Sequence, residues 1–382
     1  MRPHKQAMLS AIMIACILAC PQFIQTTHAY THYHCGGDNI EWPSSSISWR
    51  AGANSFPSGS PRRTALTSAN QRWNEAPSTF TFSIHNWGDT NLGRGNDQNE
   101  MWFSTNAGLL DGAPARCFTW TVCSAFSDKI TEADIVFNAN VAWSTSTDQT
   151  LLTPYGGSRR PWATTAIHEM GHALGLAHED DTYNVMGQDW DHIHVNDGRV
   201  RWYPGEDAGN GAGHLYMPLP WMPLLLPKDD LGVVHWKHTG HSGEYSTHGP
   251  CQIYKLDDTP VTSEAFNGWV RYKVQAGKIY RVQWTYENNG FYNKTGVNVA
   301  YYVSSNDKIT TADRLIGLGT FTMKRNKAFT HAIDLLMPHD LTLGQTYYLG
   351  AIVDYTNSIP EYCETNNATW IPIRMIKEII FP

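Results

Sequence analysis

The sequence predicts an α+β domain followed by an all-β domain, and three observations carry that reading. Residues 62–75 place Ala65, Leu66, Ala69 and Trp73 at helical spacing between short strand-like runs. A second helix is marked by the segment His168-Glu169-Met170-Gly171-His172. From about Asp230 the pattern changes to many short alternating strands with Gly, Asn and Asp between them, which argues for a β-sandwich.

The elements follow in order. Arg2 and Lys5 give a positive start, residues 7–19 are apolar but too short to span a bilayer, and Thr27-His28-Ala29 offers a cleavage site before Tyr30. The chain therefore reads as secreted or extracellular. Ile17-Leu18-Ala19-Cys20 offers the alternative of a lipoprotein anchor, and a periplasmic location stays open. Strands are expected at 47–50, 80–84, 101–103, 115–121 and 133–138, and a helix near 206–216. Residues 217–227 are apolar and broken by prolines, as in a stiff linker. Strands are then expected at 269–274, 279–284, 297–303, 329–335 and 347–353. The expected organisation is a signal peptide at 1–29, a first domain at 30–216, a linker at 217–229 and a second domain at 230–382. No stretch after the signal approaches a transmembrane length.

The chemistry concentrates in one run, His168-Glu169-Met170-Gly171-His172-Ala173-Leu174-Gly175-Leu176-Ala177-His178, an H-E-x-x-H-x-x-G-x-x-H pattern. Residues i and i+4 share one face of a helix, so His168 and His172 can hold one ion together. Glu169 sits about 100° further round, beside the ion rather than on it. A continuing helix would carry His178 to the far side, and Gly175 accepts the positive φ that ends the helix and turns the chain back. Three imidazoles with one position left open make a catalytic zinc arrangement. Zinc acidifies water and polarises a carbonyl, which leaves Glu169 the work of general base and acid.

The eleven-residue motif, followed by Met186, resembles the metzincin clan of zinc endopeptidases, and its flanks resemble the matrixin branch. That resemblance implies that Met186, in Asn184-Val185-Met186-Gly187, lies in a turn beneath the zinc. Gln188 stands where the astacin branch carries a tyrosine. A matrixin-like domain implies a twisted, mostly parallel sheet packed on helices. Its antiparallel edge strand, here 115–121, would receive a peptide substrate. Matrixins also bind a structural zinc and calcium, but Val136 stands where a zinc histidine would be, and Asn138 and Val141 where calcium-binding acids would be. One catalytic zinc per chain is therefore expected, with calcium left open. Residues 344–354, Glu361 and Glu364-Thr365-Asn366-Asn367 resemble a bacterial Ig-like adhesion-type module, with no catalytic constellation and with a polymer or protein ligand left open.

Charged residues are 16% of the chain and the net charge is −7, with no basic run, which disfavours nucleic acid as a partner. Protein or peptide substrates fit the motif. Five cysteines follow the signal, and in an oxidising compartment the simplest pairing is Cys117–Cys123 with Cys251–Cys363. Cys35 is left over, as a spare thiol, an alternative disulfide partner or an inhibitory thiol on zinc. Asp191-His192-Ile193-His194 follows Met186 and offers pocket-lining groups, and His235, His238, His241 and His248 cluster near the linker at no standard zinc spacing; both groups read as structural or solvent-facing. Two readings compete: a secreted zinc endopeptidase, and an exported metal-containing adhesion protein with little or no proteolysis. Glu169 favours the first, because a structural zinc is closed by four ligands and needs no base.

Overall fold

A short hairpin, β1 (His34–Cys35) and β2 (Asp38–Asn39), precedes the main sheet of the first domain. The protein is represented by a computed structural model that describes residues 30–124, 127–148, 160–179, 185–187, 192–217, 229–236, 250–325 and 327–377. The expected signal peptide and nearly all of the expected linker lie outside the described residues. Among the described residues no helix is long and apolar enough to cross a membrane.

Alternation builds the main sheet. In β3 (Ser46–Gly52) the side chains of Ile47, Trp49 and Ala51 are buried, while Ser48 and Arg50 between them are not. Helix α1 (Pro61–Glu75) starts at Ser60, whose hydroxyl accepts from the Arg63 N–H, and Pro61 takes the first position, where a missing N–H costs nothing. Leu66, Ala69, Asn70 and Trp73 recur at helical spacing and are buried. The Trp73 indole donates to Ile167 O at 2.8 Å, tying α1 to the helix that carries the histidine motif. Strands β4 (Thr81–Asp89), β5 (Glu100–Ser104), β6 (Ala115–Ser124) and β7 (Ser127–Asn138), with a short helix α2 (Ala107–Leu110), complete the sheet. Its order is β4-β3-β5-β7-β6, parallel throughout except for the β6–β7 pair. The antiparallel strand β6 therefore ends the sheet, as the resemblance implies.

A parallel pair, β8 (Trp143–Ser144) and β9 (Arg160–Pro161), leads into α3 (Trp162–Ala173). The hairpin of β10 (Ile193–Asn196) and β11 (Arg199–Trp202) follows, and then α4 (Glu206–Leu215), the helix expected near 206–216. Val136 is fully buried with Trp102 and Leu110 in a small apolar cluster.

The rest of the chain is all β. One sheet runs β12 (Leu231–Val234), β16 (Ile279–Asn288), β13 (Ile253–Tyr254), with β19 (Lys327–Leu336) also on β16. The other comprises β14 (Ser263–Phe266), β15 (Trp269–Gln275), β21 (Ala368–Ile376), β20 (Thr346–Val353), β17 (Lys294–Ser304) and β18 (Arg314–Met323), in that order. Tyr280, Val282, Trp284 and Tyr286 alternate along β16 and face a core completed by Tyr301, Leu349 and Ile373. Strand β18 had no expectation attached, because its RLIGLGTFTM run breaks the apolar alternation with glycines.

The disulfide expectation is corrected. Cys117 and Cys123 lie on one continuous strand, six residues apart, so their Cα atoms are roughly 20 Å apart at strand rise and cannot be bridged. Cys123 instead bonds Cys35, pinning the end of β6 to β1. The Cys251–Cys363 pairing is also not formed. Cys251 is buried in the sandwich core, 3.7 Å from the Thr285 hydroxyl, whereas the Cys363 thiol lies 3.3 Å from the guanidinium of Arg72 in the first domain. The bonded Cys35 is not an inhibitory thiol.

Candidate metal centre and substrate cleft

Helix α3 holds the first two histidines one turn apart, with His168 Nε2 and His172 Nε2 3.0 Å apart. The helix then stops in a Schellman motif: Leu176 N–H donates to Gly171 O at 3.1 Å and Gly175 N–H to His172 O at 3.0 Å. Gly175 has φ +98°, and a Cβ there would stand 2.6 Å from the backbone oxygen of Ile40. The reversal brings His178 Nε2 to 3.1 Å from His172 Nε2 and 3.2 Å from His168 Nε2. His168, His172 and His178 thus converge through one nitrogen each.

The tautomers follow from the second nitrogens. His168 Nδ1 is 2.7 Å from Val185 O and His172 Nδ1 is 2.8 Å from Leu176 O. A carbonyl only accepts, so both Nδ1 atoms carry the hydrogen and both Nε2 atoms present lone pairs. Burial holds the His168 ring down to about 4 and the His172 ring well below the usual imidazole range, so both are neutral at neutral pH. Neutral lone pairs directed at one another repel unless a cation lies between them, which is the donor set a zinc ion takes. Tyr33, with its hydroxyl 3.1 Å from His172 Nδ1, adds a second contact to that ring.

Glu169 lies outside this set of mutually close donor atoms. Its carboxyl is buried, accepts the Cys117 N–H from β6, and is pushed up to about 7 by that burial. A carboxyl near 7 exchanges protons at neutral pH, as a general base must. Met186 is buried beneath α3, and a Cβ on Gly171 would come 2.3 Å from its sulfur and 3.0 Å from the Trp73 ring. Methionine and bare helix backbone therefore fit together between the two helical histidines.

The three histidines and Glu169 line a cleft of about 560 Å³ whose opposite wall includes Ala115, Arg116 and Cys117 of β6. Arg160 also lines it, its Nε donating to Thr165 Oγ1 at 3.2 Å. Tyr33, Val185 O, Gly171 and the Cys117 N–H had no signal in the sequence, since each acts through a tertiary contact. His192, His194 and His235 are buried away from this cleft, and Asp191, His238, His241 and His248 lie outside the described residues.

Residues 41–201 match the matrixin family model, a family of zinc metalloproteases, and residues 266–370 match the CARDB family model. No curated protein matches the chain. Among solved structures, it is similar to a CARDB domain of a Pyrococcus furiosus protein, determined in complex with di-metal ions. That match has 15% identity and TM-score 0.24 and covers 39% of this chain and 90% of that one. A solution structure of the same Pyrococcus furiosus domain matches at 19% identity and TM-score 0.22, over 28% of this chain and 87% of that one. A domain of a putative cell surface protein from Methanosarcina acetivorans matches at 21% identity and TM-score 0.20, over 25% and 76%. The chain therefore carries a matrixin domain followed by an all-β CARDB domain.

Proposed function

We propose that the chain is a secreted zinc-dependent endopeptidase whose peptidase domain spans 30–216 and whose β-sandwich spans 230–382, joined by the proline-rich segment 217–229. The observation that carries this reading is the convergence of three imidazole Nε2 atoms beside the buried Glu169 carboxyl in an open cleft. His168, His172 and His178 would hold zinc through Nε2, oriented by Val185 O, Leu176 O and Tyr33. Zinc there would supply Lewis acidity, acidifying water and polarising a scissile carbonyl. Glu169 takes the proton of the attacking water on its carboxylate and returns it to the leaving amine. A peptide adds antiparallel to the outer edge of β6, so backbone hydrogen bonds provide affinity that is tolerant of sequence.

The test is cleavage of casein and of a quenched random-peptide library by the purified protein, with and without chelator, beside Glu169→Gln. Chelator-sensitive cleavage, lowered about 10²–10⁴-fold in the variant while its zinc content is kept, is the expected result. Zinc-loaded wild-type protein without cleavage would favour the adhesion reading instead.

A further inference from the structure

Outside the cleft, a second group of metal-type donors lies buried where the two domains meet. His192 and His194, two residues apart on the approach to and within β10, project to the same side, as alternate residues of an extended chain do. Both meet Glu287, near the end of β16: His192 Nε2 and His194 Nε2 each lie 3.1 Å from Glu287 Oε2. Glu206, in the first turn of α4, brings its own Oε2 to 3.8 Å from His192 Nε2. All four residues are buried. Gly232 of β12, opposite Glu287, leaves room for the cluster: a Cβ there would stand 2.9 Å from His194 Cε1 and 3.3 Å from Glu287 Oε2.

Two features are hard to explain with protein groups alone. His194 Nδ1 faces Val233 O at 3.3 Å and so carries the hydrogen, which turns a lone pair on Nε2 toward the Glu287 carboxylate. No hydrogen bond satisfies the buried Glu206 Oε2, whose neighbour His192 Nε2 stands 3.8 Å away. Two carboxylates in a dry site also call for positive charge. The 3.1 Å spacings of His192 Nε2 and His194 Nε2 from Glu287 Oε2 match a small divalent ion, since tetrahedral donors at about 2.1 Å from zinc stand roughly 3.4 Å from one another. The catalytic histidines show the same spacing, at 3.0–3.2 Å.

We propose that His192, His194 and Glu287, with Glu206 beside them, form a second divalent-metal site, of the zinc class, that clamps the CARDB domain to the matrixin domain. Two imidazoles and a carboxylate are a donor set that zinc accepts, and a buried position without a cleft suits a structural ion. The Glu287 carboxylate and its neighbour Glu206 supply negative charge against the double charge of the ion. The ligands come from both sides of the junction, which direct bonds already hold: Thr369 Oγ1 donates to Val195 O at 2.9 Å, and Ile309 N–H to Asn196 Oδ1 at 3.0 Å. The site replaces the expectation of one zinc per chain with two, and it stands independently of the peptidase reading.

Zinc per chain is measured by plasma mass spectrometry on the full-length secreted protein, its His168→Ala/His172→Ala variant, and that variant with His194→Gln. The expected counts are two, one and none. The cleft-deleted variant, stripped with chelator and titrated with zinc, should show a melting midpoint that rises with zinc. With cobalt it should show the visible bands of a tetrahedral ion. Absence of bound zinc in the folded cleft-deleted variant, with a midpoint indifferent to zinc, overturns the site whether or not the triple variant folds. Retention of that zinc after His194→Gln overturns the ligand assignment.

Discussion

Replacing Gly175 by alanine should damage both the fold and the metal centre, and the size of the effect can be worked from its surroundings. The residue sits at φ +98° with a would-be Cβ 2.6 Å from Ile40 O, a backbone atom that cannot swing away. The left-handed conformation costs an alanine about 1–2 kcal/mol. Overpacking against fixed atoms adds about 1–3 kcal/mol. The sum is about 2–5 kcal/mol, with no helix-propensity gain to offset it, because the residue lies beyond the helix end. Gly59→Ala is the control: its φ is +72° and nothing lies within 4 Å, so only the conformational cost applies. Urea denaturation followed by tryptophan fluorescence reports both variants, and chelator competition reports zinc affinity. Gly175→Ala should exceed the control by at least about 1 kcal/mol and bind zinc more weakly, since the Ile40 contact sets where His178 returns. Equal losses in the two variants, with unchanged zinc affinity, would refute the argument that this close approach positions His178.

Three further outcomes are expected. Tyr33→Phe removes one contact to His172 Nδ1 but leaves Leu176 O in place, so zinc affinity measured by chelator competition should fall by no more than about tenfold. Reduction of Cys35–Cys123, which closes a separation of 88 residues, should cost up to about 4.6 kcal/mol in the chain-entropy picture, read as a lower urea midpoint with dithiothreitol. Glu361 is pushed up to about 9 by burial and then by Asp230. The folded state therefore holds a proton the unfolded state has lost, and this contribution is full below about 4.5 and disappears as pH rises to about 9. Glu361→Gln should flatten the fall in stability across that window, and an unchanged slope would contradict the assignment.

Much of the architecture was legible because it rests on local periodicity. Trp73 and Leu66 lie on one helical face by spacing alone, and Tyr280, Val282 and Trp284 alternate wherever the strand is placed. The motif was equally local: i and i+4 place His168 beside His172 on any helix, and only a residue free to take positive φ returns His178 within three positions. The sequence could not state how far β6 extends. Treating 122–123 as the start of a loop made Cys117–Cys123 plausible, whereas pairing with β7 continues past an irregularity at Trp120/Thr121, keeps the strand extended to Ser124 and sends Cys123 to Cys35. Tyr33, the Cys117 N–H and Val185 O reach the centre across tertiary contacts that leave no spacing to read. His192, His194 and Glu287 are separated by nearly a hundred positions and a domain boundary. Local sequence therefore determined which chemistry the chain carries. Tertiary structure decided what orients that chemistry and what else the fold brings together, because burial and donor geometry depend on neighbours that only the closed fold supplies.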